Sequence, residues 1–338
     1  MERRNFILKL SGLTAGILLP GGILPGRSLV NRDRLGDLLP LRKLGKTGAN
    51  VTMLGLGGYH IGWTTEKDAQ ETIEAALEGG IRFFDTAEGY GPNISEEKYG
   101  RFLTPKYRNE IFLMTKTLAK NANTAREHLD ASLKRLKTDY LDLWQAHAIS
   151  SKEDADARIN NGVFGVMQEA KASGKVRHIG FTGHTNAGAH AYLLEKLRPE
   201  GFLETVQMPV NPVDAAHPVS FVQQVIPAAF DQGLGIIAMK TLGGGQFFAL
   251  KAELDKKMWE TDDPVVPGRI RISDAMNFAW SLPISVLVTG ASTSQMVKEK
   301  IKMAKKHMVI NEEERKQLIA RVVDLSLKEK VEYYRNRN

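Results

Sequence analysis

The 338-residue chain contains no cysteine. That absence excludes disulfides, thiolate nucleophiles, iron–sulfur clusters and cysteine-ligated zinc. Aromatic residues are few, at 7%. Long apolar runs are also missing. The nearest approach, "SGLTAGILLPGGILPG" at residues 11–26, is short and broken by glycine and proline, which is too interrupted for a membrane span. Charge of one sign is scarce over most of the chain. The net charge is +7, yet residues 1–50 hold nine Lys/Arg against three Asp/Glu, so the remainder is nearly neutral. Its acids and bases are mixed along helical stretches, which argues against nucleic acid as a partner. No metal-ligand spacing is present: His184 and His190 are not three or four apart on one helical face. What is there, 42% hydrophobic and 25% charged residues, is the composition of an ordinary globular chain.

The first thirty residues read as a separate object. A basic start, "MERRNFILKL", precedes the short apolar run. Arg3 and Arg4 followed by Asn5-Phe6-Ile7 resemble a twin-arginine export signal. The expectation is an export leader at residues 1–35, a periplasmic or otherwise exported protein, and the twin-arginine machinery as a partner. The folded domain is expected over residues 40–338.

After residue 40, "LRKLGKTGANVTMLGLGG" reads as a hairpin with a "KTG" turn, then a strand. Apolar, β-rich runs then recur: "IRFFDT", "IFLMTK", "YLDLWQAH", "VRHIGFT", "TVQMPV", "GIIAMK" and "ISVLVTG". Helical patterns such as "DAQETIEAALEGG" and "AREHLDASLKRL" separate them. With "MLGLGG" the strands number eight. Continuous apolar strands joined by helices predict a parallel sheet covered by helices. Eight units in this length predict a closed (β/α)₈ TIM barrel, with an N-terminal β-hairpin and a C-terminal helix over "NEEERKQLIARVVDLSLKEKVEYY". An open doubly wound sheet is the competitor, but no G-x-G-x-x-G follows the first strand. The irregular stretch "KKMWETDDPVVPGR" is expected to overhang the C-terminal rim.

Active sites of such barrels lie at the C-terminal ends of the strands. There the chain puts Asp85, Lys116 and His147, with Tyr90 in the loop after the second strand. The chemistry is coherent. Tyr90 donates a proton to a carbonyl oxygen. Lys116 lowers the tyrosine's pKa, Asp85 pairs with Lys116, and His147 hydrogen-bonds the carbonyl oxygen. None of these groups supplies a hydride, so a nicotinamide cofactor is required.

Over residues 40–310 the chain resembles the aldo-keto reductase superfamily. The resemblance rests on the hairpin, on "FFDTAEGYG" as the family's D-T-A-x-x-Y-G, and on "FLMTKT", "LDLWQAH", "HIGFTGH", "VQMPVN" and "VLVTGASTSQMVKE" in order. It implies an NAD(P)H-dependent oxidoreductase that reduces an aldehyde or ketone, or oxidises the alcohol, with Asp85, Tyr90, Lys116 and His147 as its tetrad. Two other readings remain open. One is an exported barrel that keeps its cofactor tightly bound for sugar chemistry without net redox. The other is a redox-sensing binding module.

The cofactor site implied by the resemblance is partly unorthodox. Gly58, Tyr59 and Asp85 line its start. Thr182-Gly183 stands where the family has Ser-Asn, and Gln207 matches the family's glutamine. Met239 replaces the stacking aromatic, with Lys240, Thr241, Leu242, Gly243 and Gly244 as the pyrophosphate cradle. Beyond the eighth strand lie Gly290, Ser292, Thr293 and Lys300, with Met296 in place of the usual arginine contact. The missing arginine weakens the family's preference for NADP, which stays the expected cofactor with NAD as the alternative. Tyr59, His60, Trp63, Ile149 and Trp259 are the expected substrate pocket.

Overall fold

Strands that are apolar on both faces need both covered, and a closed sheet with an outer ring of helices does this. A computed structural model describes residues 31–243, 266, 268–327 and 331–336, and has that form. Two short antiparallel pairs come first: β1 (Arg32–Asp33) with β2 (Gly36–Asp37), and β3 (Leu41–Lys43) with β4 (Asn50–Thr52). Eight parallel strands follow. They are β5 (Leu54–Gly57), β6 (Phe83–Asp85), β7 (Phe112–Thr117), β8 (Leu141–Ala146), β9 (Val176–Thr182), β10 (Thr205–Pro209), β11 (Gly235–Met239) and β12 (Val286–Gly290). They close in sequence order, with β12 pairing β5.

Alternation along each strand divides the core in two. Phe84, Leu113, Trp144, Ile236 and Leu287 face the helices. Their neighbours Phe83, Met114, Leu143, Ile237, Val286 and Val288 fill the barrel's interior. The β3–β4 hairpin plugs the bottom of that interior with Leu44 and Val51. Gly45 makes this docking possible. Its φ is +52°, and a Cβ there would lie 2.1 Å from the Gly235 nitrogen. The bottom is therefore closed, and only the opposite rim is left for chemistry.

Two sequence expectations shift. Residues 31–35, assigned above to the leader, already lie on the barrel. Asp33 holds the buried Arg82 with two contacts, at 2.6 and 2.9 Å. Arg82 also donates to the carbonyls of Leu77 and Ile81. The C-terminal helix is shorter than its pattern. It starts at Glu312 under a reciprocal Asn311–Glu314 cap but ends at Ala320. The β-branched pair Val322-Val323 follows, Val322 leaves helical geometry at φ −128°, and a short 3₁₀ turn covers Val323–Leu325. Residues 331–336 then return to the C-terminal rim, where the Asn211 amide donates to Glu332 and Tyr334.

Leu44 is fully buried beneath the barrel, far from the opposite rim. Leu44→Ala is expected to cost about 2–5 kcal/mol of stability. A thermal melt should show a lowered midpoint, while kcat measured well below that midpoint stays at the wild-type value.

Candidate active site

Four side chains meet at the rim because their strands are neighbours. Asp85 is the last residue of β6 and Lys116 the penultimate residue of β7. His147 is the first residue after β8, its backbone N–H held by the Thr117 carbonyl at 2.8 Å. Tyr90 sits in a tight turn whose N–H bonds the Ala87 carbonyl at 3.0 Å. The Lys116 ammonium pairs with Asp85, donates to the Thr86 carbonyl at 2.8 Å and reaches the Tyr90 hydroxyl at 3.3 Å. The rings of Tyr90 and His147 meet edge-on at 5.8 Å. The four expected residues are thus brought together.

Their electrostatics depart from expectation in one respect. Lys116 was expected to lower the Tyr90 pKa. Instead burial, and then the Asp85 carboxylate, push it well above the usual tyrosine value. The Asp85 anion offsets the field of its partner ammonium. Burial itself pushes Lys116 down and Asp85 up, while each one's opposite charge pulls the other back. His147 is held well below the ordinary histidine range by burial, then by Lys116, His184, Arg158 and Lys240. It is neutral at pH 7, and its Nδ1 is buried without a hydrogen bond.

Most of the residues expected to line the cofactor site lie along the ends of β9 to β12. Gln207 and Thr182 are partners across β10 and β9. The Gln207 amide leans toward Asp85, whose charged form it favours. Yet neither its Oε1 nor its Nε2 makes a hydrogen bond. Gly183 has no room for a side chain, since a Cβ would lie 2.5 Å from the Ile149 carbonyl and 2.6 Å from His190 Nε2. Gly58 is equally confined, beside Ser95 and the Asp85 carbonyl. After β11, Met239 is half-buried, Lys240 has a φ of +55° and Gly243 one of +57°. Thr241 is buried with an unpartnered hydroxyl, and Leu242 is buried beside it. Gly244 lies outside the described residues.

At the end of β12, Ser292 is buried and its carbonyl accepts from Thr64 at 3.0 Å. Thr293 caps the helix Ser294–Lys305 through the Met296 N–H. Lys300, expected to line the cofactor site, folds back onto the Gly290 carbonyl, and burial lowers its pKa to about 7.

The residues expected to line the substrate pocket differ in exposure. Tyr59 and Trp63 are exposed at 45% and 49%, with rings 6.4 Å apart, and Tyr59 also meets Tyr90 edge-on at 5.5 Å. Ile149 instead belongs to the outer hydrophobic core and is fully buried. His60 turns toward β12, where a Cβ on Gly290 would come 2.1 Å from its Nδ1. Burial, Lys300 and Lys240 lower the His60 pKa to about 4. Trp259 lies outside the described residues.

Three features were missed. Glu96, fully buried, accepts from Thr115 at 2.6 Å and pairs with Arg135, and its charge favours a protonated Lys116. Its only signal was an acid pair, Glu96-Glu97, in the helix after Tyr90. Tyr334 at the C-terminal end packs over Lys240 at 5.5 Å and accepts at its carbonyl from His184. An aromatic pair near the chain end hinted at this. Arg158, buried behind His147, had no signal in the polar helix "KEDADARIN".

The model of the aldo/keto reductase family matches residues 53–320. The uncharacterized oxidoreductase YrpG of Bacillus subtilis is 30% identical over 301 residues, covering 77% of this chain and 89% of that one. Aldo-keto reductase YhdN of the same organism is 37% identical over 186 residues, 49% of this chain, and the match spans about half (52%) of its length. The holo form of aldo-keto reductase AKR11C1 from Bacillus halodurans shares the fold at a TM-score of 0.69 and 20% identity, covering 84% of this chain and 96% of that one. Family match, barrel topology and the meeting of the four side chains agree, and the chain belongs to the aldo/keto reductase family, oxidoreductases acting on carbonyl and alcohol groups.

Proposed function

We propose that the chain reduces the carbonyl group of a small molecule with a nicotinamide cofactor, using Tyr90 as the proton donor. The observation that carries this reading is the Lys116 ammonium, 3.3 Å from the Tyr90 hydroxyl and paired with Asp85. When bound, the cofactor supplies the hydride. The unused donor and acceptor of Gln207 fit its carboxamide, with Thr182 alongside. Thr241, Gly243 and Lys240 fit its pyrophosphate. We favour NADP over NAD on Ser292 and Thr293, although Lys300 is committed to Gly290 and lends little to that choice.

Tyr90 keeps its proton at neutral pH because burial raises its pKa. A developing alkoxide is far more basic than a phenolate, so transfer from Tyr90 to it is favourable. Neutral His147 donates a hydrogen bond to the same oxygen without competing for that proton. Lys116 then faces the phenolate that Tyr90 becomes. Reduction is the direction this favours, since oxidation needs the phenolate at the start. Tyr59 and Trp63 offer an exposed aromatic wall beside Tyr90, which suits the apolar face of a sugar or aryl ring. A sugar agrees with two similar proteins, L-galactose dehydrogenase of Arabidopsis thaliana and 6-dehydroglucose reductase of Novosphingobium aromaticivorans, each 30% identical. We also propose export through the twin-arginine route, on Arg3 and Arg4.

Tyr90→Phe is expected to lower kcat by roughly 10²–10⁴ and to leave the Kd for NADPH, read by fluorescence titration, unchanged. Undiminished turnover would remove Tyr90 from the role. The raised Tyr90 and lowered His147 values give a sign for pH: reduction should hold a flat rate from about pH 6 to 9. Its alkaline loss should begin only above the ordinary tyrosine value, whereas alcohol oxidation should rise with pH. Fusing residues 1–35 to a reporter tests export, which is expected to stop in the Arg3→Lys, Arg4→Lys double variant.

A further inference from the structure

We infer that Arg158 is a positioning residue for His147: its buried guanidinium clamps the strained turn that presents the imidazole and fixes a positive charge behind it. The turn is His147-Ala148-Ile149. Ala148 has a φ of +58°, a region that costs a residue with a Cβ about 1 kcal/mol or more. Such a conformation persists only where its surroundings over-determine it. Backbone bonds tie the turn to both neighbouring strands, His147 N–H to the Thr117 carbonyl at 2.8 Å and Ile149 N–H to the Thr182 carbonyl at 2.9 Å. The His147 carbonyl is held from behind, by Arg158 Nη2 at 2.8 Å.

Arg158 is fully buried. Its other contacts explain how it stays there. Nη1 donates to the Ala119 carbonyl at 3.2 Å, so the guanidinium links the loops after β7 and β8. Nε donates to Asp154 at 3.1 Å, and Asp154 also pairs with Lys120 and accepts from the Ser150 N–H at 3.2 Å. Burial alone would raise the Asp154 pKa, but Lys120 and Arg158 hold it below the usual value. An ordinary Asp–Arg pair four apart on a helix remains at the surface, where it stabilises little. This one is turned inward onto two loop carbonyls, at the desolvation cost of a buried charge. That geometry serves the loops.

The charge also acts on the imidazole. The groups facing His147 are Lys116 from β7, Arg158 from the helix Lys152–Asn160, His184 after β9, Lys240 after β11 and the Tyr90 ring. Arg158 is the one bonded to the histidine's own backbone. It opposes imidazolium formation while fixing the ring's direction.

Two variants of the full chain separate the clamp from the charge. Arg158→Lys keeps the charge and loses the fork that spans two carbonyls. Arg158→Gln loses both. The readouts are kcat and KM for carbonyl reduction, and the NMR titration of the His147 imidazole, assigned by its absence in His147→Asn. The kinetic readout rests on the function proposed above. The titration does not, so silence of all forms toward substrates would condemn that function and leave the inference measurable. Arg158→Lys is expected to lose about ten- to a hundredfold in kcat with little change in KM, and to titrate at His147 as the wild type does. Arg158→Gln is expected to lose at least as much, with His147 titrating at higher pH. Wild-type kcat in a folded Arg158→Lys, or an unmoved His147 titration in Arg158→Gln, overturns the inference. Should Arg158→Gln not fold, Arg158→Lys carries the test alone.

Discussion

The Lys116–Asp85 pair is the constraint on which the site depends. Both groups are buried at the top of a barrel whose lower interior is apolar. Removing two opposite charges from water costs several kcal/mol each unless geometry and further hydrogen bonds compensate. Here the compensation shapes the site. The ammonium's remaining protons go to the Thr86 carbonyl and the Tyr90 hydroxyl. The phenol oxygen is thus held by the same ammonium that Asp85 and the Thr86 carbonyl fix in place. Glu96, anchored by Arg135 and Thr115 on the flank of β7, adds a second negative charge that favours the charged lysine.

Around that ion pair burial keeps Tyr90, His147 and His60 neutral at pH 7. Tyr90 is raised, and His147 and His60 are lowered, each chiefly by desolvation. Tyr90, His147 and His60 therefore do not acquire charge in the neutral range, whereas Lys300, lowered to about 7, does change charge there. In the proposed reduction Tyr90 would keep its proton until a reacting oxygen becomes basic enough to take it. In that reaction the fixed positive charges around His147 would stabilise the oxyanion as it forms, which is where preorganised electrostatics contribute most to rate.

The sequence disclosed those parts of the molecule whose chemistry is tied to a local pattern. Eight β-rich runs gave the eight barrel strands, because each is buried on both faces and so reads as continuously apolar. Asp85, Lys116 and His147 stood out because a charged or polar residue ending an apolar strand is anomalous. What stayed hidden depends on contacts between distant residues or on the direction of a side chain. Asp33 reaches Arg82 across 49 positions, so the folded body begins earlier than its composition suggests. Ile149 and His60 lie beside the site in sequence, but Ile149 is buried in the outer core and His60 is buried against Gly290 at the end of β12. Arg158 sits in a helix whose polar pattern looks solvated, yet its guanidinium is inside.

One departure from the family pattern follows from the same strained turn. The chain has Gly183 where the resemblance leads one to expect asparagine, and so loses one amide toward the carboxamide. The positive φ of Ala148 directs the chain so that the Ile149 carbonyl lies 2.5 Å from where a Cβ of residue 183 would stand. His190 Nε2 blocks the same point at 2.6 Å. A side chain there would have to displace the turn that carries His147, which is bonded to the Thr182 carbonyl and to Arg158. The glycine and the clamp are thus two sides of one packing solution. Holding His147 this way leaves no room for an asparagine at 183, and in the proposed cofactor site the side-chain amide would come from Gln207.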